Sequence, residues 1–168
     1  MAPNIEKIKA SKVIFVTHEG HKALVAKKTE LTAELRRIMA ERAGAFEDGG
    51  GTWHDNPAFE EVERRERMTS SQIQEIEQTL LKVQIVPERP VSLETVAVGT
   101  VITLENEDGT QKFRYVIGGY QESDLTLSPQ RIAYNAPIVS QFFGQTIDHE
   151  AEVVLSGKTQ LLVLISIE

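Results

Sequence analysis

The sequence predicts an α+β protein: an N-terminal antiparallel coiled-coil hairpin of two helices, then a C-terminal domain of antiparallel sheet carrying one short helix. Three observations predict it. Apolar positions recur at alternating steps of three and four up to about residue 83, three successive glycines at 49–51 interrupt that pattern once, and past Pro87 and Pro90 the period drops to about 2. The division falls at residues 1–88 and 89–168, with the hairpin tip at about 47–57 and the boundary within 86–92.

In the first helix Leu24, Lys28, Leu31, Leu35, Ile38, Arg42 and Ala45 mark the seam, and in the second Phe59, Val62, Glu66, Thr69, Ile73, Ile76, Leu80 and Val83 do so. This is the heptad spacing of a coiled coil. Each helix should run for about 28 residues, about 42 Å at 1.5 Å per residue. Gly49, Gly50 and Gly51 stop the first helix, and Pro57 suits the first turn of the second, with Asp55 or Asn56 as its N-cap. Arg42, Glu66 and Thr69 stand on seam positions near the tip, where a two-helix seam is half wet and tolerates polar residues.

Residues 98–104 and 112–117 read as a β-hairpin around Asp108-Gly109, and 152–155 with 160–167 as a second one around Ser156-Gly157-Lys158. Between them 135–144 has an N-cap (Asn135), an early proline (Pro137) and a terminal glycine (Gly144), the signals of one short helix.

At 168 residues, 40% apolar and 26% charged, the chain has the composition of a soluble globular protein. The N-terminal apolar run from Val13 to Val16 is too short for a signal-peptide core, and Leu161 to Ile165 is too short to span a bilayer, so a cytoplasmic protein with no membrane partner is expected. Absence of cysteine excludes disulfides, thiolate nucleophiles and Cys-based zinc sites. Residues 1–88 carry 13 Lys+Arg against 15 Asp+Glu, and residues 89–168 carry 5 against 10. Neither half has the basic balance of a free nucleic-acid binder, which favours a protein partner.

No phosphate-binding loop, HExxH, GxSxG or dinucleotide fingerprint is present, so the chain shows no self-contained active site. His18 and His21 lack a third metal ligand at useful spacing. Arg64, Arg65 and Arg67, interleaved with Glu60, Glu61, Glu63 and Glu66, read as a solvated face. Glu47, Asp48 and Asp55 cluster at the end of the rod, where acids serve as caps and where a rod could also deliver carboxylates into a narrow channel.

Three segments in the expected order resemble the bacterial Gre (GreA/GreB) transcript-cleavage factors, and together they cover most of the chain. Gly51-Thr52-Trp53-His54-Asp55-Asn56-Pro57-Ala58-Phe59 lies on the family's tip pattern G-D-L-x-E-N-A-E-Y; Thr17-His18-Glu19-Gly20 resembles the start of its first helix; Tyr134 to Gly144 (YNAPIVSQFFG) resembles its S-P-I-A-R-A-L-L-G segment. The resemblance implies an FKBP-like C-terminal domain docking at the rim of the RNA polymerase secondary channel, with the hairpin inserted into it. It implies polymerase contacts at Thr52, Trp53, His54, Asn56, Pro137, Ile138, Phe142 and Gly144. Asp55, Asp48 and Glu47 would be the catalytic acids, with Asp55 and Asp48 as ligands of a Mg²⁺ shared with the polymerase and no cofactor held stably. Two metals stabilise the attacking and leaving oxygens, and one lowers the pKa of the attacking water. DNA and nascent RNA enter as partners only within the polymerase complex, and the protein is expected to be a monomer. The family's tip aspartate falls on Thr52, its glutamate on Asp55 and its Ala-Glu pair on Pro57-Ala58. The tip is therefore short of negative charge. Stimulated transcript cleavage and occupation of the channel without cleavage are both open on these residues, with a prolyl isomerase or chaperone as the distant alternative.

Overall fold

The computed structural model describes residues 13–48, 57–155 and 157–168, with side chains on the first helix as far as Gly44. The chain divides into two compact units, one of Met1–His21 with Val83–Glu168 and one of Lys22–Lys82.

The helical unit is the pair α1 (His18–Asp48) and α2 (Pro57–Leu80). Lys28 Nζ meets Glu77 at 2.8 Å, and further along α1 Arg42 Nη1 meets Glu66 at 2.7 Å, so the helices run antiparallel. Leu24 and Ile38 are buried, as are Thr69 and Thr79 from the other helix. Two seam positions that read as misplaced polar residues, Arg42 and Glu66, are each other's partner, and the Arg42 guanidinium also lies 6.0 Å from the centre of the Phe59 ring. Arg65 bridges to two glutamates of α1, Glu41 at 2.7 Å and Glu34 at 3.4 Å. Arg64 and Arg67 pair instead along their own helix, with Glu61 and Glu63.

The other unit opens with β1 (Ile14–Val16), which pairs in parallel with β2 (Val83–Ile85), so the strands on either side of the hairpin lie together. Its main sheet comprises β3 (Val101–Asn106), β4 (Lys112–Gly118), β5 (Gln130–Ala133), β6 (Glu150–Leu155) and β7 (Lys158–Ile167), in the spatial order β5-β4-β3-β7-β6. Both sequence-predicted hairpins are there: β3 and β4 turn through Asp108-Gly109, with Gly109 at φ +71°, and β6 pairs with β7 up to Leu155 opposite Lys158. Alternate residues point inward along β3, β6 and β7: Ile102 and Leu104, Ala151 and Val153, Leu162 and Leu164 are all buried in one core with Ile117, Val139 and Phe142.

Two expectations need correction. The sheet is mixed and not wholly antiparallel, because β5 joins β4 in parallel after an eleven-residue excursion over 119–129. Residues 135–144 form linked turns in place of a continuous helix. Ser140 and Phe143 donate to carbonyls four residues back while Val139 and Phe142 donate three residues back, so no uniform helical ladder propagates.

Candidate functional site

The segment from Tyr134 to Gly144 is fixed at both ends by backbone bonds. Tyr134 N–H donates to Gly118 at 2.9 Å, and Gly144 N–H donates to Val96 at 2.7 Å while Val96 N–H donates back to Gln145 at 2.9 Å. Gly144 can end the turns this way because it sits at φ +77°, in the left-handed region that glycine tolerates. Midway, Gln141 Nε2 donates to the Glu152 carbonyl of edge strand β6 at 2.7 Å.

The turns send consecutive aromatic residues different ways. Phe142 is fully buried, edge-on to His149 with ring centres 5.9 Å apart. Phe143 stacks on Tyr134 at 4.8 Å, and both meet Phe15 of β1, at 5.9 and 5.8 Å. Tyr134 Oη accepts the Phe15 N–H at 3.3 Å. Burial pushes the Tyr134 phenol above its ordinary pKa, and the Phe15 amide partly opposes that shift. Beside this cluster lies an apolar hollow of about 390 Å³, lined by Phe15, Val86, Pro90, Val96, Phe143 and Gly144. At its border Val91 is 95% exposed. An apolar recess of this kind is a surface that a protein partner would bury.

The sequence-derived contact residues divide on this geometry. Pro137 is exposed and Ile138 half-buried, so these two present surface. Phe142 and Gly144 are buried and shape the segment from beneath. Thr52, Trp53, His54, Asp55 and Asn56 lie outside the described residues, as do the side chains of Glu47 and Asp48. Among the described residues no group of three or more His, Asp or Glu is placed to hold a metal ion, and no helix is long and apolar enough to cross a membrane.

Two participants escaped the sequence reading. Phe15 belongs to an N-terminal strand too short to show a period, and Glu122 sits in the crossover loop. Its carboxylate reaches the start of α1, with Oε1 accepting the Thr17 N–H at 2.8 Å. The available signal was Gly20, a glycine three residues into a helix where a capping glutamate often stands.

Residues 91–168 match the family model described as "Transcription elongation factor, GreA/GreB, C-term". Beyond that domain the chain is similar to the transcription elongation factor GreA of Sphingopyxis alaskensis, 26% identical over 83% of this chain and 89% of the relative. It is also similar to that of Phenylobacterium zucineum, 27% identical over 91% of this chain and 96% of the relative. The chain carries a GreA/GreB C-terminal domain. The family match covers the segment from Tyr134 to Gly144 and the hollow's border at Val91, while Phe15, Val86 and Pro90 precede it. The GreA relatives extend the similarity into the helical unit, since their alignments cover more than four-fifths of this chain. Among solved structures, the GreA factor homolog 1 (Gfh1) of Thermus thermophilus matches over 94% of this chain and 99% of its own, at 13% identity and a TM-score of 0.43, a likeness too loose to carry a functional argument.

Proposed function

We propose that this chain is a transcription elongation factor that binds RNA polymerase at the secondary channel, the sheet unit docking at the rim and the α1–α2 pair entering the channel. The observation that carries the reading is the combination of a GreA/GreB C-terminal domain over 91–168 with an antiparallel pair of helices of 31 and 24 residues. At 1.5 Å per residue the longer helix extends about 46 Å, a length suited to reaching a buried catalytic centre from a protein surface. The exposed Pro137, the half-buried Ile138 and the apolar hollow lined by Phe143 and Gly144 support docking by the sheet unit.

What the factor does once inside turns on the tip. Thr52 brings no charge where the family pattern has aspartate, leaving Asp55, Asp48 and Glu47 as the available acids. This favours a second reading, in which the factor occupies the channel and restrains synthesis without stimulating cleavage. Incubating a stalled, backtracked elongation complex with the protein and reading transcript length separates the two. Shortened transcripts that regain extension support cleavage stimulation; transcripts that stay intact and fail to extend support occupation; no change in either respect overturns the polymerase reading. If cleavage is seen, Asp55→Asn should abolish it with little loss of binding, because the amide keeps the capping geometry and loses the charge. Thr52→Asp should raise it at limiting Mg²⁺. Abolition by Asp48→Asn with no response to Thr52→Asp would instead place the working acids before the glycine run.

A further inference from the structure

The first turn of α1 is capped by a residue 105 positions away in sequence. In a capping box the N-cap hydroxyl accepts the N3 amide, and a glutamate at N3 reaches back to the N-cap amide. Half of that arrangement is local here: Thr17 Oγ1 accepts the Gly20 N–H at 3.0 Å. Gly20, at N3, has no side chain for the other half. Glu122 supplies it, with Oε1 accepting the Thr17 N–H at 2.8 Å, while its second oxygen accepts the Gly119 N–H at 3.3 Å. One carboxylate thus closes two structures at once, the helix start and the 119–122 turn.

The surroundings are shaped to this side chain. A Cβ on Gly20 would run into the Glu122 carboxylate, and one on Gly119 would lie 2.9 Å from both Glu122 Cδ and Val16 Cα. The turn is closed by Glu122 N–H donating to the Gly119 carbonyl at 3.1 Å, with Gln121 at φ 60°. Tyr120 N–H adds a bond to the Phe15 carbonyl at 2.8 Å. The negative charge also stands at the positive end of the α1 dipole.

We propose that Glu122 is a positioning residue that makes the start of the hairpin's first helix conditional on the 119–122 turn. A partner that displaces the turn withdraws the cap from α1, and a partner that pulls on α1 loosens the turn. The consequence for transcription rests on the channel reading above, while the coupling itself does not.

The test is amide hydrogen exchange on the full chain, comparing wild type, E122Q, E122A and E122A combined with G20E. The last variant supplies a glutamate at N3, restoring an ordinary capping box in cis without tethering the turn. E122A should speed exchange at both Thr17 and Gly119 by about tenfold, the loss of a charge-assisted hydrogen bond at each. E122Q, close to isosteric, should give a smaller acceleration at the same two amides and guards against a variant that fails to fold. In the double variant Thr17 should return to slow exchange while Gly119 stays fast. Unchanged exchange in E122A, or recovery of both amides in the double variant, would overturn the proposal. The backtracked-complex assay adds a readout that helix stability alone would not move: a double variant with wild-type thermal stability should remain impaired, and full recovery would reduce Glu122 to a simple cap. If wild type has no effect on polymerase, the channel reading fails and the exchange data decide the coupling by themselves.

Discussion

Gly20→Ala in an ordinary helix would stabilise it by about 0.5–1 kcal/mol, because alanine loses less backbone entropy. Here the added methyl meets the Glu122 carboxylate, so the sign should reverse to a loss of about 1–3 kcal/mol, as for overpacking elsewhere. Thermal or denaturant unfolding checks it, and the same substitution in a Glu122→Ala background should regain the ordinary sign. Tyr134→Phe should cost about 1 kcal/mol through the lost acceptor for the Phe15 amide. The pH dependence at this residue follows from an acid whose folded pKa is raised. The folded state keeps the phenol proton after the unfolded chain has begun to release it, so the contribution to stability is flat below the unfolded pKa of about 10 and falls as pH rises beyond it. Ultraviolet absorbance should show Tyr134 ionising above the ordinary range, a component missing in Tyr134→Phe. The pairing of Thr17 with Gly20 was visible in the sequence. Its reason was not, because the carboxylate that needs the space comes from residue 122.

At the scale of elements, the described part of the hairpin combines buried side chains such as Leu24 and Ile38 with exposed ion pairs between the helices, and their magnitudes differ. Arg65 has two partners on α1, yet all three groups are more than a third exposed, so Arg65→Ala should cost little stability, and less still at high salt. Ile38 is only 1% exposed, and Ile38→Ala should cost about 2–5 kcal/mol. Circular dichroism melts of the two variants should separate clearly; equal losses would mean that the ion pairs, and not the apolar seam, hold the helices. The heptad pattern exposed both helices because a seam of this kind is written locally in the spacing of side chains. It could not show that Arg42 and Glu66 answer each other, since that depends on the register between helices. The β-hairpins were legible for the same local reason, through Asp108-Gly109 and the alternation around Gly157. Strand β5 was missed: Gln130–Ala133 has four residues, too few to show a period, and a parallel partner is chosen by the fold and not by a turn.

At the scale of the molecule, Phe15 connects distant parts of the chain within the sheet unit. It is 7% exposed and packs against Tyr134 and Phe143, so Phe15→Ala should cost about 3–5 kcal/mol. It should also open the apolar hollow that Phe15 lines, so that a hydrophobic dye bound weakly by wild type binds the variant more strongly. Retained stability would place the support of the Tyr134 to Gly144 segment elsewhere.

By itself the sequence determined the two helices, two β-hairpins and the resemblance to GreA/GreB, because heptad spacing, alternation, turn residues and motif order are all properties of neighbours in the chain. Only the tertiary structure decided that β1 and β2 lie together in the sheet unit, that β5 runs parallel to β4, that Phe142 faces inward while Phe143 meets Phe15, and that Glu122 caps α1. Each of these joins residues far apart in sequence, and nothing in a local pattern fixes which distant group will satisfy an unpaired amide or fill a particular space.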